Sequence, residues 1–104
     1  MYRTEQPTPE EVAALEGLTI LEFGTNWCGV CQAARADINE GLGSTDVPYI
    51  KIEDGRGRPL GRSFRVKLWP TLIFLRDGAE VSRVVRPNSP EEVSTALSQL
   101  LKGA

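Results

Sequence analysis

Histidine is absent from these 104 residues, and cysteine occurs only twice. Without histidine there is no Ser-His-Asp or Cys-His nucleophile activation, no histidine acid–base catalysis and no imidazole metal ligand. Neither sign of charge dominates: Lys and Arg number 12, Asp and Glu 14, for a net charge of -2. That balance argues against a polyanion, whether nucleic acid or anionic membrane, as the main partner. Long apolar runs are also missing. Leu72–Leu75 is far short of the about 20 residues that span a bilayer. Met1–Glu10 carries Arg3, Glu5 and two prolines and lacks the apolar core of a secretory signal. The reading is a soluble cytoplasmic protein, although a mature secreted form would read the same way.

What remains has the size and balance of one compact domain, 40% hydrophobic and 25% charged, with no repeats and no low-complexity tracts. Thr8-Pro9-Glu10-Glu11 has the form of a capped helix start, and the helix is expected to reach about Glu16, with Gly17 as its stop. Leu18–Phe23 reads as a central strand, apolar on both faces except at Glu22. Ala33–Ile38 suits a helix ending near Gly41 or Gly43. Val47–Ile52 is the next strand, and residues 53–61 read as a loop leading to a helical turn near Phe64. Asp77-Gly78 is a hairpin signal between strands Leu72–Leu75 and Glu80–Val85. Ser89-Pro90-Glu91-Glu92 repeats the capping pattern, and Val93, Ala96, Leu97, Leu100 and Leu101 fall on one face of the helix that follows. The expected fold is α/β, a mixed sheet of about four strands with helices on both faces.

The two cysteines, Cys28 and Cys31, are separated by Gly29-Val30. Chance gives this spacing in about one placement in fifty. The pair falls at a strand-to-helix junction, where free backbone N–H groups and the helix dipole stabilise a thiolate. Cys28, nearer the tip, is then the attacking sulfur, and Cys31, one helical turn on, resolves the mixed disulfide. As a staple the pair closes too small a loop to stabilise much, roughly 2 kcal/mol. As a zinc site it offers two of the four ligands usually needed. Buried inert thiols are the remaining alternative.

With Leu18–Phe23 leading into Trp27-Cys28-Gly29-Val30-Cys31, then Trp69-Pro70-Thr71-Leu72-Ile73-Phe74, Asp77-Gly78 and an amphipathic C-terminal helix, the chain resembles the thioredoxin family over nearly its whole length from residue 18. The resemblance implies the thioredoxin fold and a protein-disulfide reductase. It implies a cis bond at Pro70, with the backbone there presented to a substrate strand. It implies no bound cofactor, disulfide-containing client proteins, and a flavoprotein of the thioredoxin-reductase type as electron donor.

The departures from the family pattern bear on function. Val30 stands where thioredoxins usually have proline, and potentials across this fold run from about -270 to about -120 mV, so an oxidant or isomerase is an alternative to a reductant. Glu22 stands where the family usually has a buried aspartate. By resemblance it is a desolvated carboxylate of raised pKa that exchanges a proton with Cys31, against the alternative of an exposed strand carboxylate. Leu18 and Ile20 share its face and favour burial. Lys51 could be the accompanying lysine. Trp27 is expected to shield the site, with a partly exposed anchor as the alternative. Trp69 replaces a smaller aliphatic residue and is expected to crowd the client groove. Arg86 stands where the family usually has glycine and would favour acidic or narrow clients. The short amino terminus leaves little room for the family's first edge strand.

Two other readings compete. A glutaredoxin-like enzyme would need Thr-Val-Pro and Gly-Gly glutathione-binding elements, which the sequence lacks, and a binding module would carry vestigial cysteines. Arg56-Gly57-Arg58-Pro59 has the form of a minor-groove hook, but it lies beside Glu53 and Asp54 inside a folded domain and reads as a solvated basic loop. It holds no phosphate-binding glycine motif.

Overall fold

The computed structural model describes residues 1–103. Its elements run α1 Pro9–Ala13, β1 Leu18–Gly24, α2 Gly29–Leu42, β2 Tyr49–Glu53, α3 Pro59–Ser63, β3 Thr71–Arg76, β4 Ala79–Val85 and α4 Pro90–Lys102. The four strands form one sheet in the order β2-β1-β3-β4, with β1 and β2 parallel and the other neighbours antiparallel.

Alternation along the strands divides the core in two. On one face Ile20, Leu72 and Phe74 pack with Ala34, Ile38 and Leu42 of α2 and Val93, Ala96, Leu97 and Leu100 of α4. On the other, Leu21, Phe23, Ile73 and Leu75 pack with Val12 of α1 and Leu60 of α3. Gly41 lets α2 and α4 meet closely: a Cβ there would lie 2.5 Å from the Pro90 carbonyl oxygen and 2.6 Å from Val93 Cβ.

Local chemistry sets the helix starts. Thr8 and Ser89 both form reciprocal capping boxes, with Glu11 and Glu92. Asp77 and Gly78 make the β3–β4 turn with φ of 50° and 77°, the left-handed pair that such a hairpin requires.

Several expected boundaries change. α1 ends at Ala13, not near Glu16, because the Ala14 and Leu15 amides close its last turn. α2 begins at Gly29, at the strand-to-helix junction expected for the cysteine pair, and Cys28 itself caps it. A helix, α3, occupies part of the segment read as loop, and Gly61 within it makes room for the Asp54 carboxylate, whose Oδ1 would be 2.1 Å from a Cβ at that position. Leu101 is half exposed, just beyond the apolar face of α4 that ends at Leu100. In place of a first edge strand there is one bridge: the Arg3 amide donates to the Lys51 carbonyl at 2.9 Å, and the Glu53 amide donates to the Arg3 carbonyl at 2.8 Å.

Candidate active site

β1 ends at Gly24, and a short loop delivers Cys28 to the N-cap of α2. There the Cys31 amide donates to Cys28 Sγ at 3.1 Å, one of the helix-start N–H groups that lack a backbone partner. Both cysteines are free. Cys28 is partly exposed, whereas Cys31 is buried, at 4% exposure. Burial first, then the hydrogen bond to Cys28, pushes the Cys31 thiol up to about 11, against a backbone bond from Thr25 and the Tyr2 hydroxyl, which pull it down. The two sulfurs are thus unlike: one reachable at a helix N-terminus, the other shielded and protonated at neutral pH.

Glu22 lies on the α2 face of the sheet and is 2% exposed. Two tyrosines hold its carboxylate, Tyr2 donating to Oε2 and Tyr49 to Oε1. Burial, then the charge of Glu22, raises both phenol pKa values far above the usual range, so both hydroxyls stay protonated donors. Lys51 pairs in register with Glu22 across β1 and β2, but its Nζ lies over the Tyr2 ring, 4.7 Å from the centroid.

Neither tyrosine belongs to the sequence motifs that mark the site. Tyr49 carried a readable signal, since it alternates with Lys51 on one side of β2. Tyr2 carried none, because its place depends on the single bridge at Arg3.

The Trp69–Pro70 peptide is cis. Thr71 pairs with Phe23, so Pro70 precedes β3 at the end of the sheet where β1 gives way to the cysteine loop. The Trp69 indole Nε1 donates to Asp54 Oδ2 at 2.8 Å, a partner the sequence did not suggest. Trp69 also lines a cleft of about 430 Å³ with Asp54, Arg58, Arg62, Arg65 and Lys67. Arg86 takes φ of 49°, a left-handed backbone that glycine adopts more easily than other residues. Its amide donates to the Pro70 carbonyl at 2.9 Å and its Nε to the Trp69 carbonyl at 2.8 Å. Arg86 and Val30 line one shallow groove.

Trp27 is 70% exposed at the mouth of the cysteine loop. Gly29 and Val30 are exposed beside it in the first turn of α2. Arg58 is held by Glu53 at 2.6 Å and by the Thr4 carbonyl at 2.8 Å, so the basic loop is folded onto the domain and is not a free hook.

The sequence model of the thioredoxin family matches residues 2–99. The chain belongs to the thioredoxin family. It is similar to thioredoxin 2 of Pseudomonas aeruginosa PAO1, solved in its reduced form, with 50% identity and a TM-score of 0.88, covering 99% of this chain and 96% of that one. A thioredoxin of Chlamydia pneumoniae is 31% identical over 87 residues, covering 80% of this chain and 82% of the relative. Thioredoxin H2-1 of Oryza sativa subsp. japonica is 32% identical over 75 residues, 71% of this chain. This thioredoxin-family chain spans about half the length of the plant relatives it matches, 54% for thioredoxin H2-1. The fold of the family, a four-stranded mixed sheet flanked by helices, is the one described above. No helix among the described residues is long and apolar enough to cross a membrane.

Proposed function

We propose that this thioredoxin-family chain is a thiol–disulfide oxidoreductase that reduces protein disulfides. The observation that carries the proposal is the asymmetry of the pair, with Cys28 reachable at the α2 N-cap and Cys31 buried and protonated one turn later. Cys28 thiolate attacks a client disulfide and forms a mixed disulfide, and the first client sulfur leaves as a thiolate. Cys31 then gives up its proton and attacks Cys28 Sγ. The Cys28–Cys31 disulfide forms and the second client sulfur leaves, so two electrons pass from the dithiol to the client. Glu22 is the acid–base group for Cys31, in the role the family gives its buried acid.

Clients dock across Trp27, Gly29 and Val30 on one side and Trp69 and Pro70 on the other. Arg86 and the basic cleft beside Trp69 select clients with acidic residues near the disulfide. Arg62, Arg65 and Lys67 support this selection, since they form no ion pair among the described residues. A flavoprotein of the thioredoxin-reductase type supplies electrons, and the setting is the cytoplasm.

Redox titration at pH 7 in dithiothreitol and glutathione buffers, followed by tryptophan fluorescence and thiol alkylation together, tests the reading. A reversible two-electron transition at or below about -250 mV is expected of a reductant. A transition near about -180 mV would make the protein an oxidant or isomerase instead, and no transition would leave a binding module.

A further inference from the structure

Glu22 and Cys31 share no direct hydrogen bond among the described residues, yet one group lies beside both. The Tyr2 hydroxyl donates to Glu22 Oε2. The same hydroxyl and the Cys31 sulfur each lie 2.7 Å from the point where a Cβ on Gly24 would stand, so the two crowd one small space kept open by that glycine. Tyr49 donates to the other carboxylate oxygen and has no hydrogen bond to a sulfur among the described residues.

We propose that Tyr2 is the relay through which a proton passes between Cys31 and Glu22. The inference rests on the dithiol reading above. In the resolving step the Cys31 S–H proton moves to the Tyr2 oxygen while the hydroxyl's own proton moves to Glu22 Oε2. The Cys31–Cys28 S–S bond forms, the Cys28–client S–S bond breaks, and the electron pair leaves on the client sulfur, which takes a proton from water. When the Cys28–Cys31 disulfide is reduced again, the same path returns the proton to Cys31.

The two transfers are concerted, because burial and the Glu22 charge disfavour a free tyrosinate at this place. Lys51 lies over the Tyr2 ring and opposite Glu22 in register. Arg35 of α2 and the Met1 amino group are the other titratable groups near this cluster.

Tyr2→Phe removes the hydroxyl and keeps the ring beneath Lys51. Single-turnover release of a client from its Cys28 mixed disulfide, followed from pH 6 to 10, reads the resolving step. The variant is expected to be at least about tenfold slower at pH 7, with a rate that climbs about tenfold per pH unit, while the unaltered protein has a flatter profile. Attack by Cys28, read in the Cys31→Ser background, is expected to be the same with and without Tyr2→Phe.

Tyr49→Phe strips the other oxygen of Glu22 and is expected to shift the profile without making it hydroxide-dependent. Identical behaviour of the two tyrosine variants would reduce Tyr2 to a structural support. A Tyr2→Phe profile parallel to that of the unaltered protein would overturn the relay. Should the variant not fold, the proton inventory of the unaltered protein in H₂O–D₂O mixtures decides: a bowed, two-proton curve supports the relay and a straight line refutes it. If the unaltered protein does not reduce disulfides, the dithiol reading itself falls. Turnover with an unchanged Tyr2→Phe profile removes only the relay.

Discussion

Iodoacetamide should discriminate sharply between the two sulfurs, and the size of the effect follows from the burial of Cys31. A thiol with pKa about 11 is about 10⁻⁴ ionised at pH 7, whereas an ordinary exposed thiol near 8.5 is about 3% ionised, a ratio of about 300. The more basic thiolate is intrinsically more nucleophilic, with a Brønsted slope of about 0.45, which returns a factor of about 13. Chemistry alone therefore leaves Cys31 about 20-fold slower than a model thiol, and 4% exposure slows it further. The assay is alkylation of Cys28→Ser, which isolates Cys31, and of Cys31→Ser, which isolates Cys28, with peptide mapping of the unaltered protein as a check. Burial remains the largest cause of the shift when Cys28 is replaced, so the Cys31 rate should rise about tenfold per pH unit from 7 to about 10 without levelling. Levelling near pH 8.5 would refute the burial argument, and modification of Cys31 before Cys28 at pH 7 would reverse the assigned roles.

The same proton makes the fold sensitive to alkali. Cys31 has a folded value of about 11, above the ordinary thiol range, so the native state keeps a proton that the unfolded chain loses. Stability is therefore complete below about pH 9 and falls as pH rises toward 11, by about 1.4 kcal/mol per pH unit and about 3 kcal/mol in all. Tyr2 and Tyr49 are shifted in the same direction and steepen the fall above pH 10. Urea unfolding at pH 7, 9, 10 and 11 measures it, and a flat stability between pH 9 and 11 would contradict it. Gly41→Ala should destabilise by about 2 kcal/mol, because the added methyl meets a backbone carbonyl that cannot swing aside; a gain in stability in urea unfolding would mean that α2 and α4 part easily. Trp69→Phe should cost about 2 kcal/mol by leaving the Asp54 carboxylate without its indole donor. A double-mutant cycle with Asp54→Ala should show coupling above about 1 kcal/mol, and simple additivity would show the bond to be idle.

Features written into neighbouring residues were legible. The two capping boxes, the Asp77-Gly78 turn and the apolar spacing of α4 as far as Leu100 each place their signal within a few positions, and each appears where the pattern put it. The cysteine pair and the Trp-Pro step were legible because short motifs carry them. What sequence did not disclose depends on contacts across the fold. α3 lacks a side-chain cap at Arg58, and its Gly61 looks like a helix breaker until Asp54 is seen to need the space. Leu101 satisfies the helical spacing yet lies half exposed, since the face in contact with the sheet closes at Leu100.

The surroundings of Glu22 show why a family motif underdetermines its site. A strand position that is apolar on both faces except for one carboxylate says that the acid is either exposed or buried with partners; it does not say which partners. Here they come from opposite ends of the local topology: Tyr49 from the adjacent parallel strand, and Tyr2 from a segment attached to the sheet by one bridge. A buried carboxylate without such donors would carry a desolvation penalty of several kcal/mol. Glu22 and its tyrosines therefore stand or fall together. Gly24 must remain small for the same reason, because a Cβ there would lie 2.7 Å from both the Tyr2 hydroxyl and Cys31 Sγ.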